Sequence, residues 1–153
     1  MLRDSINDAL KDAMKAKDQS RVSTLRLVNA AIKNADIEAR GQGKEALGDE
    51  AILGVLQKMI KQRQESAELY DKGGRPELAQ KERDEIATIS EFLPQQMSDL
   101  EAGHVIQQLV HEINAQGLKD MGRTMAALKE RFAGRMDLSK ASARVKELLG
   151  SHK

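Results

Sequence analysis

Apolar residues recur at steps of three and four along most of this chain, which is the spacing of one face of an α-helix. The first series contains Leu2, Ile6, Leu10 and Ala13. A longer second series contains Leu25, Val28, Ile32, Ala35 and Ala39. No segment shows the strict alternation of apolar and polar residues that is typical of a half-buried strand. The pattern therefore predicts an all-α protein.

Start and stop signals divide the first part of the chain into four helices. An aspartate can cap a helix N-terminus, and a glycine accepts the left-handed backbone that often ends a helix. A proline fits the first turn of a helix but cannot continue one. The residues that carry these signals are Asp18, Gly41, Gly43, Gly73, Gly74, Pro76 and Pro94.

The second and third predicted helices are the longest in the chain. The third continues the apolar pattern, and its series consists of Ile52, Val55, Leu56, Met59, Ile60, Ser66 and Tyr70. We expect these two helices to form a long antiparallel hairpin, with the first and fourth helices packed against it. Residues 1–94 would then form a four-helix N-terminal domain.

A second domain is predicted over residues 95–153. Ser98 and Glu101 have the spacing of a capping box, in which each residue satisfies a free N–H of the other. Asp120 and Asp137 are placed to cap two further helices, and Gly134 is placed to end the helix between them. Three helices of this length make a marginal core, so this domain is expected to need packing against the first domain or a partner.

Composition excludes several classes of protein. The chain has 153 residues and no cysteine, which excludes disulfides, thiolate catalysis and cysteine-based zinc sites. The N-terminus lacks the apolar stretch of a signal peptide, and no window resembles a membrane span. We therefore expect a cytoplasmic protein that does not insert into a membrane. No combination of residues predicts a catalytic centre, a metal site or a cofactor site.

Positive charge is concentrated near the C-terminus. Residues 119–153 contain nine lysines and arginines against four aspartates and glutamates, whereas the whole chain has a net charge of +1. Such a cluster on helices is typical of a polyanion-binding surface, although a merely solvated face has the same composition. The candidate RNA-binding residues are Lys119, Arg123, Lys129, Arg131, Arg135, Lys140, Arg144 and Lys146.

The sequence also suggests how RNA would be contacted. Gly122 and Gly134 lie near predicted helix termini, where a glycine lets a phosphate approach free N–H groups. Phe132 is the only aromatic residue of this region, and its place in the apolar series predicts a core position. We therefore expect contacts with the RNA backbone, strongly dependent on salt, rather than base stacking.

Three other features favour ordinary structural roles. His104 and His111 lie two helical turns apart, too far to share one metal ion without further ligands. The acidic residues of the fourth helix alternate with basic ones and suggest a solvated face; they are Glu82, Asp84, Glu85 and Glu91. The segment from Gly41 to Lys44 has glycines and a lysine, but Glu45 stands where a phosphate loop needs Ser or Thr.

Three stretches resemble the YqeY family, and together they cover most of the chain. They are residues 24–40, residues 56–98 and residues 120–149. Within them, the sequences KQRQESA, GRPEL and FLPQQ are specific, because ordinary helical periodicity does not require them. The last stretch also resembles the tail domain of GatB, the B subunit of the glutamyl/aspartyl-tRNA amidotransferase.

The resemblance implies two helical domains, the second a three-helix unit like the GatB tail. In the amidotransferase that tail helps to hold tRNA while other domains perform the chemistry. We therefore expect a non-catalytic accessory protein that associates with tRNA or another RNA. A helical protein-interaction module that uses the long hairpin is the alternative. By resemblance only, carbon–nitrogen ligase activity with glutamine as amide donor is a further alternative. The oligomeric state stays open.

Overall fold

Helices make up most of the part of the chain that its computed structural model describes, residues 1–43 and 47–150. This part contains seven α-helices, one short 3-10 helix and no strand, which confirms the all-α prediction. The chain divides into two compact units, Met1–Leu93 and Pro94–Lys153, whereas the sequence placed the boundary after residue 94. Within the described ranges, no helix is long and apolar enough to cross a membrane.

The first unit contains four α-helices, and its apolar core lies between them. Their bounds are α1 Leu2–Lys15, α2 Gln19–Gly41, α3 Asp49–Lys72 and α4 Pro76–Ser90. Each helix contributes at least one side chain to the core, and the fully buried ones include Ile6, Leu25, Val28, Ile52, Leu56 and Ile89. Burying a side chain of this size contributes about 1.5–3 kcal/mol, so this core is the main source of the unit's stability.

Several predicted boundary residues have the roles that the sequence suggested. The Asp18 carboxylate accepts a hydrogen bond from the backbone N–H of Arg21 at 3.2 Å, which caps α2. Pro76 is the first residue of α4. Gly74 has a φ of +73°, a left-handed conformation that glycine adopts without a steric cost, and it follows the end of α3.

The second half of α3 packs against α4 through small residues that the sequence analysis missed. Arg63 and Asp71 of α3 both form ion pairs with α4, so the face that they share is directed at that helix. Ala67 lies between them on this face and is 3% exposed, and Ala79 of α4 is 0% exposed. The predicted series continued through Ser66 and Tyr70, which are only half-buried. Alanines allow close helix contact but do not stand out in an apolar series.

One ion pair joins three segments of the first unit. The Arg3 guanidinium of α1 donates a hydrogen bond to the Asp36 carboxylate of α2 at 2.9 Å. Asp36 also accepts from the backbone N–H of Leu47 at 3.0 Å, and Arg3 donates to the Leu47 carbonyl at 3.0 Å. The Arg3 hydrogen bond, together with that from Leu47, lowers the pKa of Asp36 to about 2. This network holds the segment before α3 against α1 and α2.

The second unit is a three-helix bundle with its own core. Its elements are α5 Asp99–Glu112, a 3-10 helix Leu118–Asp120, α6 Met121–Phe132 and α7 Leu138–Gly150. The most deeply buried core residues come from all three α-helices and are Ile106, Leu109, Leu128, Val145 and Leu149. The core is therefore closed within the unit itself.

Two of the three predicted caps in this unit are confirmed. The Ser98 hydroxyl accepts from the backbone N–H of Glu101 at 3.1 Å, which caps α5. The Asp137 carboxylate accepts from the backbone N–H of Ser139 at 2.8 Å, which caps α7. Asp120 does lie at the N-cap position of α6, but its carboxylate makes no capping hydrogen bond there. It accepts instead from the backbone N–H of Gln116 at 2.8 Å, since the 3-10 helix runs directly into α6.

Acid is expected to weaken the first unit because of Asp36. The pKa of this carboxyl is about 2 in the folded protein against an ordinary 3.8. A lowered pKa stabilises the folded state above the unfolded pKa, and this contribution is lost as the pH falls from about 4 to about 2. We expect the urea midpoint of unfolding, measured by circular dichroism, to fall over this range.

The variant Asp36→Asn separates this effect from general acid destabilisation. It should be less stable than the wild type at pH 5, and the difference should shrink towards pH ~2, where the wild-type carboxyl is also partly protonated. A stability difference that stays constant between pH 5 and pH ~2 would contradict this role of Asp36.

Candidate nucleic-acid interface

The basic residues predicted to bind RNA lie on the outside of the second unit. Lys119 is in the 3-10 helix, and α6 and α7 carry all the others except Arg135, which lies in the turn between these two helices. The four lysines are exposed, and three of the arginines are exposed while Arg135 is half-buried. The structure therefore places the whole set where solvent reaches it, but it does not leave every cation free.

Arg123 and Arg131 of α6 bind the C-terminal end of α5. Arg123 donates to the backbone carbonyl of Ile113 at 2.9 Å and lies 3.4 Å from the Asp120 carboxylate. Arg131 forms an ion pair with Glu112 at 2.9 Å. This hydrogen bond from Arg131 lowers the pKa of Glu112. Cations are favourable at a helix C-terminus, where backbone carbonyls lack partners, so both arginines have a structural role.

Arg135 holds the start of the second unit against the turn between α6 and α7. Its Nε–H donates to the Gln95 carbonyl at 3.1 Å. In return, the backbone N–H of Met97 donates to the Arg135 carbonyl at 2.9 Å, and the Gln96 amide donates to the Gly134 carbonyl. These contacts attach residues 95–97 to the three-helix bundle. One of the N–H groups of Arg135 is therefore used within the protein.

Arg144 of α7 joins that helix to the first turn of α5. Its guanidinium donates to the Asp99 carbonyl at 2.9 Å. The side chain lies against Gly103, where an added Cβ atom would come within 2.5 Å of Nη1. Sequence reasoning missed this contact, although a glycine inside a predicted helix was a signal that something approaches its backbone closely.

The lysines differ from the arginines. Lys140 and Lys146 make no side-chain hydrogen bond or ion pair with any residue in the described ranges. The hydrogen bond from the Gln116 backbone is the main reason that the pKa of Asp120 is lowered, and the positive charge of Lys119 adds to this effect. Lys129 interacts with another group of the protein. Lys140 and Lys146 are consequently the cations of the set that are most available to a ligand.

Gly134 ends α6 as the sequence predicted, but neither Gly134 nor Gly122 is seen to open a helix terminus to a phosphate. Gly134 is buried with a φ of +76°, so it serves as the left-handed residue after α6. The N–H groups of Ser139 and Lys140 at the start of α7 already face the Asp137 carboxylate. A phosphate would therefore have to displace an anion to bind this helix terminus. Gly122 is exposed within the first turn of α6.

The histidines and acidic residues singled out in the sequence do not form a metal site or a catalytic site within the described residues. No group of three or more metal-binding side chains occurs among the residues that the structure describes, and His104 and His111 are both exposed. Glu85 is paired with Arg63 at 2.9 Å, and Glu91 is paired with Arg21. Asp84 accepts from the Gln80 amide at 2.9 Å. Lys44 and Glu45 of the glycine-rich loop lie outside the described residues.

Comparison with known proteins identifies the family. The model of the family described as Yqey-like protein matches residues 3–149, which is nearly the whole chain. The chain belongs to the YqeY family. This confirms the resemblance carried by the three sequence stretches, and the match includes both units of the fold.

Curated relatives of this YqeY-family chain come from fungi. The mitochondrial "altered inheritance of mitochondria protein 41" of Lachancea thermotolerans is 41% identical over 86 residues, which cover 56% of this chain and 44% of that protein. An uncharacterized Schizosaccharomyces pombe protein is 34% identical over 95 residues, with coverages of 62% and 74%. The protein 41 of Pyrenophora tritici-repentis is 24% identical over 145 residues, with coverages of 93% and 77%.

These relatives limit what can be transferred to this YqeY-family chain. The matched stretch spans less than half of the Lachancea thermotolerans protein. The names refer to mitochondrial inheritance or to no function, and they specify no RNA, reaction or partner. The relatives therefore give no direct support for RNA binding or for a link with the amidotransferase. The cytoplasmic location stays a prediction.

The role of Gly134 in ending α6 can be tested by substitution. Gly134→Ala places a Cβ in a left-handed backbone, which should destabilise the protein by about 1–2 kcal/mol. Gly122→Ala is the matched control, because an added Cβ meets no atom within 4 Å. It should leave stability unchanged or raise it by up to ~1 kcal/mol. Urea unfolding measures both, and equal stabilities for the two variants would contradict the assigned role.

Proposed function

We propose that this YqeY-family protein is a non-catalytic accessory protein that binds tRNA or another structured RNA through its C-terminal unit. The observation that carries the proposal is the concentration of exposed cations there. Residues 119–153 hold nine lysines and arginines against four acidic residues. The side chains of Lys140 and Lys146 in this region have no intramolecular partner within the described residues.

The character of this surface favours contacts with phosphates. Phe132, the one aromatic residue of the region, packs against the core of the second unit and is unsuited to stacking on bases. Lysine ammonium groups act as point charges for phosphate oxygens and carry no base-specific geometry. Binding should then depend on the shape and backbone of the RNA and should weaken steeply as salt increases.

Transfer RNA is the preferred RNA because residues 120–149 resemble the tail domain of the amidotransferase B subunit. An intrinsic carbon–nitrogen ligase activity rests on this resemblance alone. The acidic residues that general acid–base chemistry would need are engaged elsewhere, since Glu85 and Glu91 form ion pairs with arginines. A role in presenting RNA to another protein fits these observations better than catalysis.

Exposed apolar residues on the long helices support protein interaction as a second candidate function. Ile37 of α2 is 57% exposed and Leu69 of α3 is 68% exposed. A partner helix could cover such side chains. A stable oligomer of the full chain that dissociates after Leu69→Ser would favour this function over RNA binding.

Replacing exposed lysines tests the RNA proposal. We expect Lys119→Gln, Lys140→Gln and Lys146→Gln together to weaken bulk tRNA binding, because three contacts with phosphates are lost. Each lost contact should also reduce the slope of log K against log salt concentration by about one. The matched control replaces Lys11, Lys33 and Lys58, three exposed lysines of the first unit, by Gln. Fluorescence anisotropy with labelled tRNA measures both triple variants.

The control has the same net charge as the test variant, so the comparison removes non-specific attraction. The control should bind tRNA nearly as tightly as the wild type. If the two triple variants weaken binding equally, the C-terminal unit has no special role and the proposal fails.

A further inference from the structure

Arg144 lies at the edge of a groove between α5 and α7, where a hydrogen bond orients its guanidinium. One N–H of its guanidinium donates to the Asp99 carbonyl at 2.9 Å. The guanidinium carbon would lie 2.7 Å from a Cβ at position 103, so the side chain can lie across α5 only because residue 103 is glycine. A glycine is unfavourable inside a helix, and this contact gives its presence a physical reason.

The fixed guanidinium keeps donors available for a ligand. An arginine has five N–H groups, and the structure shows one of these used within the described residues. A guanidinium that is already oriented loses less conformational freedom when it binds an anion, and its planar fork matches two phosphate oxygens. Arg144 therefore differs from the flexible lysines, although its formal charge is the same.

The groove beside Arg144 is lined by polar and apolar side chains that suit an RNA backbone. Its lining includes His104 and Gln107 of α5, and Glu147 of α7. His104 and Gln107 are exposed side chains that can donate hydrogen bonds to phosphate or ribose oxygens. Leu100 also lines the groove and is 84% exposed, so the wall offers an apolar surface at its open side.

We propose that this α5–α7 groove is the seat of an RNA backbone phosphate, with Arg144 as its main contact and with His104 and Gln107 as additional donors. The inference rests on the proposed RNA-binding function and gives it a specific location. It also assigns a role to Glu147, the one carboxylate that lines the groove. Glu147 repels the phosphate and lowers the affinity.

A pair of neighbouring glutamines provides the sharpest test. Gln107 lines the groove, whereas Gln108 does not line it, and both are exposed residues of α5. Gln107→Glu places a carboxylate against the phosphate and should weaken binding of bulk tRNA by about tenfold at physiological salt. Gln108→Glu adds the same charge outside the groove and should weaken binding by about twofold or less, because salt screens it.

A second pair tests the same groove by a gain of affinity. Glu147→Gln should tighten tRNA binding by about threefold, because it removes the repulsion next to the phosphate. Glu130→Gln removes the same charge from the exposed face of α6 and should change the affinity much less. Circular dichroism at 222 nm should show unchanged helicity in all four variants, since none of the four side chains is buried.

The outcomes separate this inference from the function on which it rests. If the wild-type chain does not bind bulk tRNA even at low salt, the proposed function fails and the groove assignment is overturned with it. If the wild type binds but the Gln107 and Gln108 variants bind equally, only the groove assignment is overturned. A large effect at Gln107 and Glu147, with small effects at Gln108 and Glu130, supports the assignment.

Discussion

Hydrogen bonds from arginines to backbone carbonyls join the segments of the C-terminal unit at its surface, outside its apolar core. Arg123 binds the Ile113 carbonyl, Arg135 binds the Gln95 carbonyl and Arg144 binds the Asp99 carbonyl. The Ile113 carbonyl lies at the C-terminus of α5, where backbone carbonyls lack helical partners, Gln95 precedes this helix and Asp99 is its first residue. The three bonds therefore join α6, α7 and the turn between them to the two ends of α5.

These hydrogen bonds determine which basic side chains of the C-terminal unit are used within the protein. The sequence shows one basic cluster, but in the structure its four arginines bind other parts of the protein, whereas two of its lysines do not. Arg123 and Arg135 spend part of their hydrogen-bonding capacity on the protein. Lys140 and Lys146 have no such partner in the described part of the chain. The positive charge of the region is unchanged by these contacts, since a hydrogen-bonded guanidinium keeps its charge.

Much of the fold could be predicted from the sequence because helix periodicity and helix ends have local causes. Asp18, Ser98 and Pro76 act within a few residues of their own positions, and the structure confirms them. The burial of Ala67 and Ala79 was missed because it depends on which two helices meet. For the candidate site, composition revealed the charge, but the contact between Arg144 and Gly103 depends on distant segments of the chain.

The salt dependence of tRNA binding decides whether this YqeY-family chain binds RNA through phosphates, as we propose. The affinity of the full chain for bulk tRNA should be measured at 50 mM and 200 mM salt, with polyglutamate as an anionic control. We expect tighter binding to tRNA than to polyglutamate, and a steep loss of affinity at the higher salt. Absence of tRNA binding at 50 mM salt, or equal binding to polyglutamate, would contradict it.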